Sequence, residues 1–234
     1  MRKCGIIFTR KVGGINMSKE WNWEINTNDL WLKPSIESYF YVKEWKNKQF
    51  KNVLDLGCGL GRHAILFAKN DFNVTACDLS EYGVNHLNEW ADKENLKIET
   101  VVCDMLELPF NENSFDAIFS YHTISHTDTM GVKKVINELK RVLKSNGELF
   151  LTLCSKETWS FKDAGYQKID ENTVLKQEDG PEDGIPHFYV NLEDIKELFN
   201  DFEIISLRHT DDIYYTDKLN HSKHYFVHMK LNKE

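Results

Sequence analysis

Cysteine and proline are scarce in this 234-residue chain: five cysteines, four prolines, and no two cysteines in a CxxC pair. Cys4, Cys58, Cys77, Cys103 and Cys154 are too scattered for a disulfide framework or a zinc site, so they read as reduced thiols of a cytosolic protein. No metal is expected. No apolar run reaches the ~20 residues that a membrane helix needs. Positive charge is short too, with 29 Lys and Arg against 37 Asp and Glu and a net charge of −8. Such a chain gains nothing by neutralising phosphates, which disfavours nucleic acid as a partner. Internal repeats and low-complexity tracts are absent.

What remains is a globular composition, 41% hydrophobic and 28% charged, long enough for one domain with a substantial core. The N-terminus stands apart. Residues 1–16, MRKCGIIFTRKVGGIN, carry four basic residues and no acidic one. Reverse-translated, GGINM can encode a purine-rich ribosome-binding sequence ahead of a start codon. Met17 is therefore the expected natural start, and residues 1–16 an upstream extension.

From residue 52 onward, short apolar runs alternate with helical patterns. NVLDL (52–56), NVTACD (73–78), IETVVCD (98–104), FDAIFSY (115–121) and ELFLTLC (148–154) read as strands. GRHAILFAKN follows the first, and a helix capped by Ser80 follows the second. GVKKVINELKRVLKSNG reads as an amphipathic helix ending at Asn146-Gly147. Strands separated by such helices make βαβ units, hence a parallel sheet between two helical layers. LEDIKELFN is a further helix, and FEIISLRHT and HYFVHMKL are a closing antiparallel pair. The acidic stretch 171–184 reads as an exposed hairpin or loop.

The most informative segment is DLGCGLGRH, residues 55–63. Glycine loses more backbone freedom on folding than any other residue, so three within five positions imply a close ligand. A glycine turn between strand and helix brings a ligand to bare backbone at the helix's positive end. Dinucleotide folds use G-x-G-x-x-G, whereas Gly57, Gly59 and Gly61 follow Asp55 as D-x-G-x-G-x-G. An acid two residues before the first glycine suits a cation-bearing ligand better than a diphosphate, and it reads equally well as a cap for the loop.

In these residues the chain resembles the class I S-adenosylmethionine-dependent methyltransferases, of the bacterial small-molecule, type 11/25-like kind. Asp78 stands at the end of the second strand and Asp104 at the end of the third, while LPFNENSFDAIFSYHTISH and ELKRVLKSNGELFLT match later landmarks. The resemblance covers residues 50–155. It implies a Rossmann-like three-layer sandwich with a mostly parallel seven-stranded sheet and an antiparallel last strand. It implies S-adenosyl-L-methionine as cofactor, with Asp78 on the ribose diol, Asp104 on the adenine amino group and Met105 against the ring. Asp55, Gly57, Cys58, Gly59, Gly61, Leu79, Leu106, Ser120 and Tyr121 complete the implied cofactor set.

The acceptor is expected over the carboxyl ends of the strands. Tyr121 and His122 are the first candidates for contact, with His126 behind them, and His187 and Tyr189 of GIPHFY form a second group. Residues 17–234 are expected as one domain, with a substrate-side insertion at 155–190 and an N-terminal helical lid at 27–48 carrying Trp31, Tyr39 and Tyr41. His209, His221, His224 and His228 read as ordinary surface histidines. The leading function is methyl transfer to a small-molecule acceptor. The alternatives are a tRNA-modifying enzyme and a non-catalytic S-adenosylmethionine-binding module.

Overall fold

Residue alternation in the strands sets the layering. Val53 and Leu54, Ile118 and Phe119, and Leu149 and Phe150 are neighbours in sequence, yet each pair divides between two separate apolar clusters. Successive strand residues point to opposite faces, so strands this uniformly apolar must be covered on both sides. A computed structural model describes residues 11–12, 15–16, 21–25, 29–177, 180–214 and 220–232. Most of the expected upstream extension, residues 1–16, lies outside them.

Strands β1 (Asn52–Leu56), β2 (Asn73–Asp78), β3 (Ile98–Val102), β4 (Phe115–Ser120) and β5 (Leu143–Ser155) pair in parallel in the order β3-β2-β1-β4-β5. Three short strands follow: β6 (Gln167–Lys168), β7 (Thr173–Leu175) and β8 (Pro186–Val190). Strand β9 (Phe202–Tyr214) pairs antiparallel with β10 (Asn220–Leu231), which pairs antiparallel with β5. The central sheet is thus seven-stranded, order β3-β2-β1-β4-β5-β10-β9, with β10 alone reversed. The expected architecture is correct, but the full sheet has ten strands. The extra three form where β8 joins the end of β5 in parallel and β7 and β6 add antiparallel.

Helices α1 (Ile36–Asn47), α2 (Arg62–Lys69) and α3 (Glu81–Lys93) share one face. There Tyr41, Trp45, Phe67 and Leu87 pack with Phe119, Phe150 and Phe226. On the other face α4 (Thr129–Val142) and α6 (Leu192–Leu198) cover Leu54, Leu149 and Leu151 with Val132, Val135, Leu139 and Ile195. A single turn, α5 (Trp159–Lys162), follows β5. The Ser80 cap is present, its hydroxyl accepting the Gly83 N–H at 3.4 Å. Helix α4 ends at Val142, earlier than expected, because Leu143 is already extended and pairs with Phe115.

Of the residues in the expected lid, Tyr41 of α1 is 4% exposed and packs in the core with Trp45, while Tyr39 faces solvent. No helix among the described residues is long and apolar enough to cross a membrane.

Candidate functional site

Every loop at the carboxyl end of β1 to β4 meets one cavity of about 330 Å³. One end is built from the glycine turn. Gly57 and Gly59 have φ of +73° and +51°, a left-handed region that side-chain-bearing residues adopt with strain. A Cβ at Gly57 would lie 2.2 Å from the Thr123 side chain, and one at Gly59 would lie 2.4 Å from the Trp23 ring. The Asp78 carboxylate braces the turn: Oδ2 accepts the Gly59 N–H at 2.8 Å and Oδ1 accepts the Ser80 N–H at 2.9 Å. Asp104 at the end of β3 accepts the Leu106 N–H at 2.9 Å in the same manner.

Of the residues expected at the cofactor, Gly57, Cys58, Gly59, Asp78, Leu79, Asp104, Met105, Leu106 and Tyr121 line this cavity, and so do His122 and His187 from the acceptor group. Asp55, Gly61 and Ser120 do not. Asp55 is 1% exposed, and its carboxyl takes the backbone N–H of Ala64 in the first turn of α2. It therefore ties strand to helix beneath the loop. Burial pushes it up to about 7, although Arg62 and the Ala64 N–H pull the other way. Its Oδ2 is buried without a hydrogen-bond partner. Gly61, φ +98°, packs against Leu87, and Ser120 donates its hydroxyl proton to the Leu56 carbonyl at 3.1 Å.

A roof of tryptophans closes the glycine-turn end. Trp21, Trp23 and Trp31 meet edge to face with centroids 4.2, 4.8 and 5.6 Å apart. Arg62 lies beneath, its guanidinium 4.9 Å from the Trp31 ring and 5.4 Å from Tyr121, donating to the carbonyls of Leu30 and Lys33. Of this roof the sequence offered Trp31, within the expected lid at 27–48, whereas WNW at 21–23 and Arg62 beside the third glycine carried no spacing that pointed to it.

The opposite end is rich in histidine. His122 holds a left-handed φ of +55°, its backbone N–H donating to Thr152 Oγ1 at 2.7 Å, and its ring lies 4.4 Å from that of His224. Burial, with His224 next to it, holds His122 well below the usual imidazole range. For His224 burial acts in the same direction, but Asp212 and Cys154 outweigh it and lift the ring to about 9. His126 is pushed down to about 3 by burial, reinforced by His187. Glu182 faces both of these rings and pairs with Lys176. The expected exposed acidic loop thus turns one carboxylate into the cavity, and the surface reading of His224 is also overturned. His228 is likewise buried, against Glu148 at 3.0 Å, because β10 is interior to the sheet.

Among the described residues the cysteines Cys58, Cys77, Cys103 and Cys154 are free, and all four line the cavity. Burial raises the Cys58 thiol well above its ordinary value. Cys77 is raised as well, first by its hydrogen bond with Cys103 and then by burial, so neither is an activated thiolate.

The comparisons with known proteins agree with this geometry. Residues 53–147 match the family described as methyltransferase domain. An uncharacterized protein of Methanocaldococcus jannaschii is 32% identical over 117 residues, half of this chain and 47% of that one. Sterol 24-C-methyltransferase of Gibberella zeae is 37% identical over 98 residues, 41% of this chain and 25% of that enzyme. This chain thus spans less than half the length of either curated relative. A solved S-adenosylmethionine-dependent methyltransferase of Methanosarcina mazei superposes with a TM-score of 0.71 at 20% identity, over 86% of this chain and all of that one. The chain is thus similar to methyltransferase domains over residues 53–147 and shares the fold of a solved S-adenosylmethionine-dependent methyltransferase.

Proposed function

We propose that this chain transfers the methyl group of S-adenosylmethionine to a small-molecule acceptor seated against the histidine end of the cavity. One observation carries the reading: a single cavity runs from bare glycine backbone, past two strand-end carboxylates, to a wall of polar side chains, under an aromatic roof. Gly57 and Gly59 leave room for the methionyl portion, Asp78 receives the ribose hydroxyls, and Asp104 with Met105 receives the adenine. The cofactor supplies an electrophilic methyl on a sulfonium that is already a good leaving group.

The protein's own work is then to place the acceptor, align it and keep water out. Tyr121 stands between the two ends. Its ring is stacked within 8° of parallel on Phe119 and lies beneath Arg62, so its position is rigid. His122 and His126, both held neutral, are suited to accept a hydrogen bond from a bound acceptor rather than its proton. The net charge of −8 favours a small molecule over RNA.

Calorimetry with S-adenosylhomocysteine, followed by methyl transfer from labelled cofactor to a metabolite library, tests the proposal. Stoichiometric nucleoside binding with labelled product is expected. Tight binding with no transfer to any acceptor would instead mark a binding module.

A further inference from the structure

We infer that His126, His187 and Glu182 form a site for a divalent transition-metal ion of the zinc type at the acceptor end of the cavity. One ligand atom from each residue lies within 4.8 Å of the other two. His187 carries the argument. It is 2% exposed, and its Nδ1 lies 3.0 Å from the Ile185 carbonyl, which can only accept, so Nδ1 holds the proton. In the neutral ring Nε2 then carries the lone pair, and this buried atom has no hydrogen-bond partner. It faces Glu182 Oε1 at 3.6 Å, too far for a hydrogen bond, and a lone pair has no attraction for a carboxylate. A cation between them removes the conflict.

The second imidazole completes the set. His126 Nε2 lies 3.9 Å from the same Oε1, and the two rings are 4.7 Å apart. Lys176 pairs with Glu182 through the other oxygen, Oε2, which orients the carboxylate and leaves Oε1 to the histidines. A protein carbonyl on the far nitrogen of one imidazole and a lysine on the far oxygen of the carboxylate are the kind of outer partners that metal-binding ligands ordinarily have. Ligand atoms around tetrahedral zinc, with bonds of ~2.0–2.1 Å, stand about 3.3 Å apart, so closure by roughly an ångström suffices. Two imidazoles and one carboxylate leave a coordination position open toward the cavity, as in catalytic rather than structural sites. Where the proposed methyl transfer holds, that position would take an oxygen or sulfur of the acceptor and favour its deprotonated, nucleophilic form.

The test uses the full chain, stripped with a chelator, desalted and titrated with cobalt(II) chloride. One equivalent should bind with a visible ligand-field band, and zinc should displace it. Zinc alone should raise the melting temperature of the stripped protein. Glu182→Gln, nearly isosteric, and His187→Ala should each weaken cobalt binding at least tenfold and lose the band. Circular dichroism and S-adenosylhomocysteine calorimetry on the same samples report whether the variants are folded. Absence of a band and of a melting shift in the parent chain would overturn the inference, and so would variants that are folded and bind cobalt as tightly as the parent. Nucleoside binding without cobalt binding sinks the metal site alone, whereas cobalt binding without nucleoside binding sinks the methyl-transfer reading alone.

Discussion

Asp55 lies inside β1 and Asp78 at the end of β2, and their surroundings differ. Asp55 is sealed under the glycine turn and pushed up to about 7 by burial. A carboxyl raised above its unfolded value leaves the folded state holding the extra proton. Stability therefore falls as pH rises from about 4 to about 7 and is level beyond, by on the order of 3–4 kcal/mol in total. Melting curves across that range should show the slope in the parent chain and a flat profile in Asp55→Asn. Asp78 accepts two backbone N–H groups and lines the cavity. Asp78→Ala should weaken S-adenosylhomocysteine binding by about 1–3 kcal/mol in calorimetry. Tyr121→Phe keeps the stack on Phe119 and the contact with Arg62, so nucleoside affinity should hold while turnover falls if the acceptor uses the hydroxyl.

Element by element, legibility in the sequence followed the reach of the cause. Strands β1, β2 and β4 and the Ser80 cap depend on near neighbours in the chain, and periodicity placed them within a residue. The end of α4 depends on Leu143 pairing with Phe115, 28 positions away, and was misplaced. The residues of the expected lid divide for a similar reason. Trp31 joins the roof, whereas Tyr41 of α1 is buried beside Trp45, which Glu148 fastens inside. That carboxylate accepts the Trp45 indole N–H at 3.0 Å and a Lys48 ammonium N–H at 2.5 Å and meets His228 at 3.0 Å, so it joins α1, β5 and β10. Glu148→Ala strands these partners and should cost about 3 kcal/mol in denaturant unfolding, toward the low end for a buried pair because Lys48 is partly solvated. Burial pushes the Glu148 carboxyl up, but His228 and Lys48 outweigh it and hold it below its usual value. Its contribution is complete above the ordinary glutamate range and is lost as pH falls through the depressed value, opposite in sign to that of Asp55.

For the molecule as a whole, the glycine-turn end of the cavity is legible in the sequence because its residues sit at strand tips in chain order. The histidine end draws on residues from 121 to 224 that meet only through the sheet. His126, His187 and Glu182 share no local pattern, so the absence of CxxC spacing said nothing about a site assembled from distant loops. The roof gives a global readout. Trp23 lies against Gly59 and Trp31 over Arg62, so nucleoside binding should change tryptophan fluorescence, and Gly59→Ala, whose Cβ would meet the Trp23 ring, should abolish that change.

The three-strand graft on the tip of β5 has a consequence for how such a chain diversifies. The residues proposed to hold the nucleoside fall between 57 and 106, whereas Lys176, Glu182 and His187 belong to the β7–β8 hairpin and the loop it encloses. Exchange of that hairpin alone would present the same methyl donor to a different chemical clientele, and a lineage could change its substrate without relearning its coenzyme.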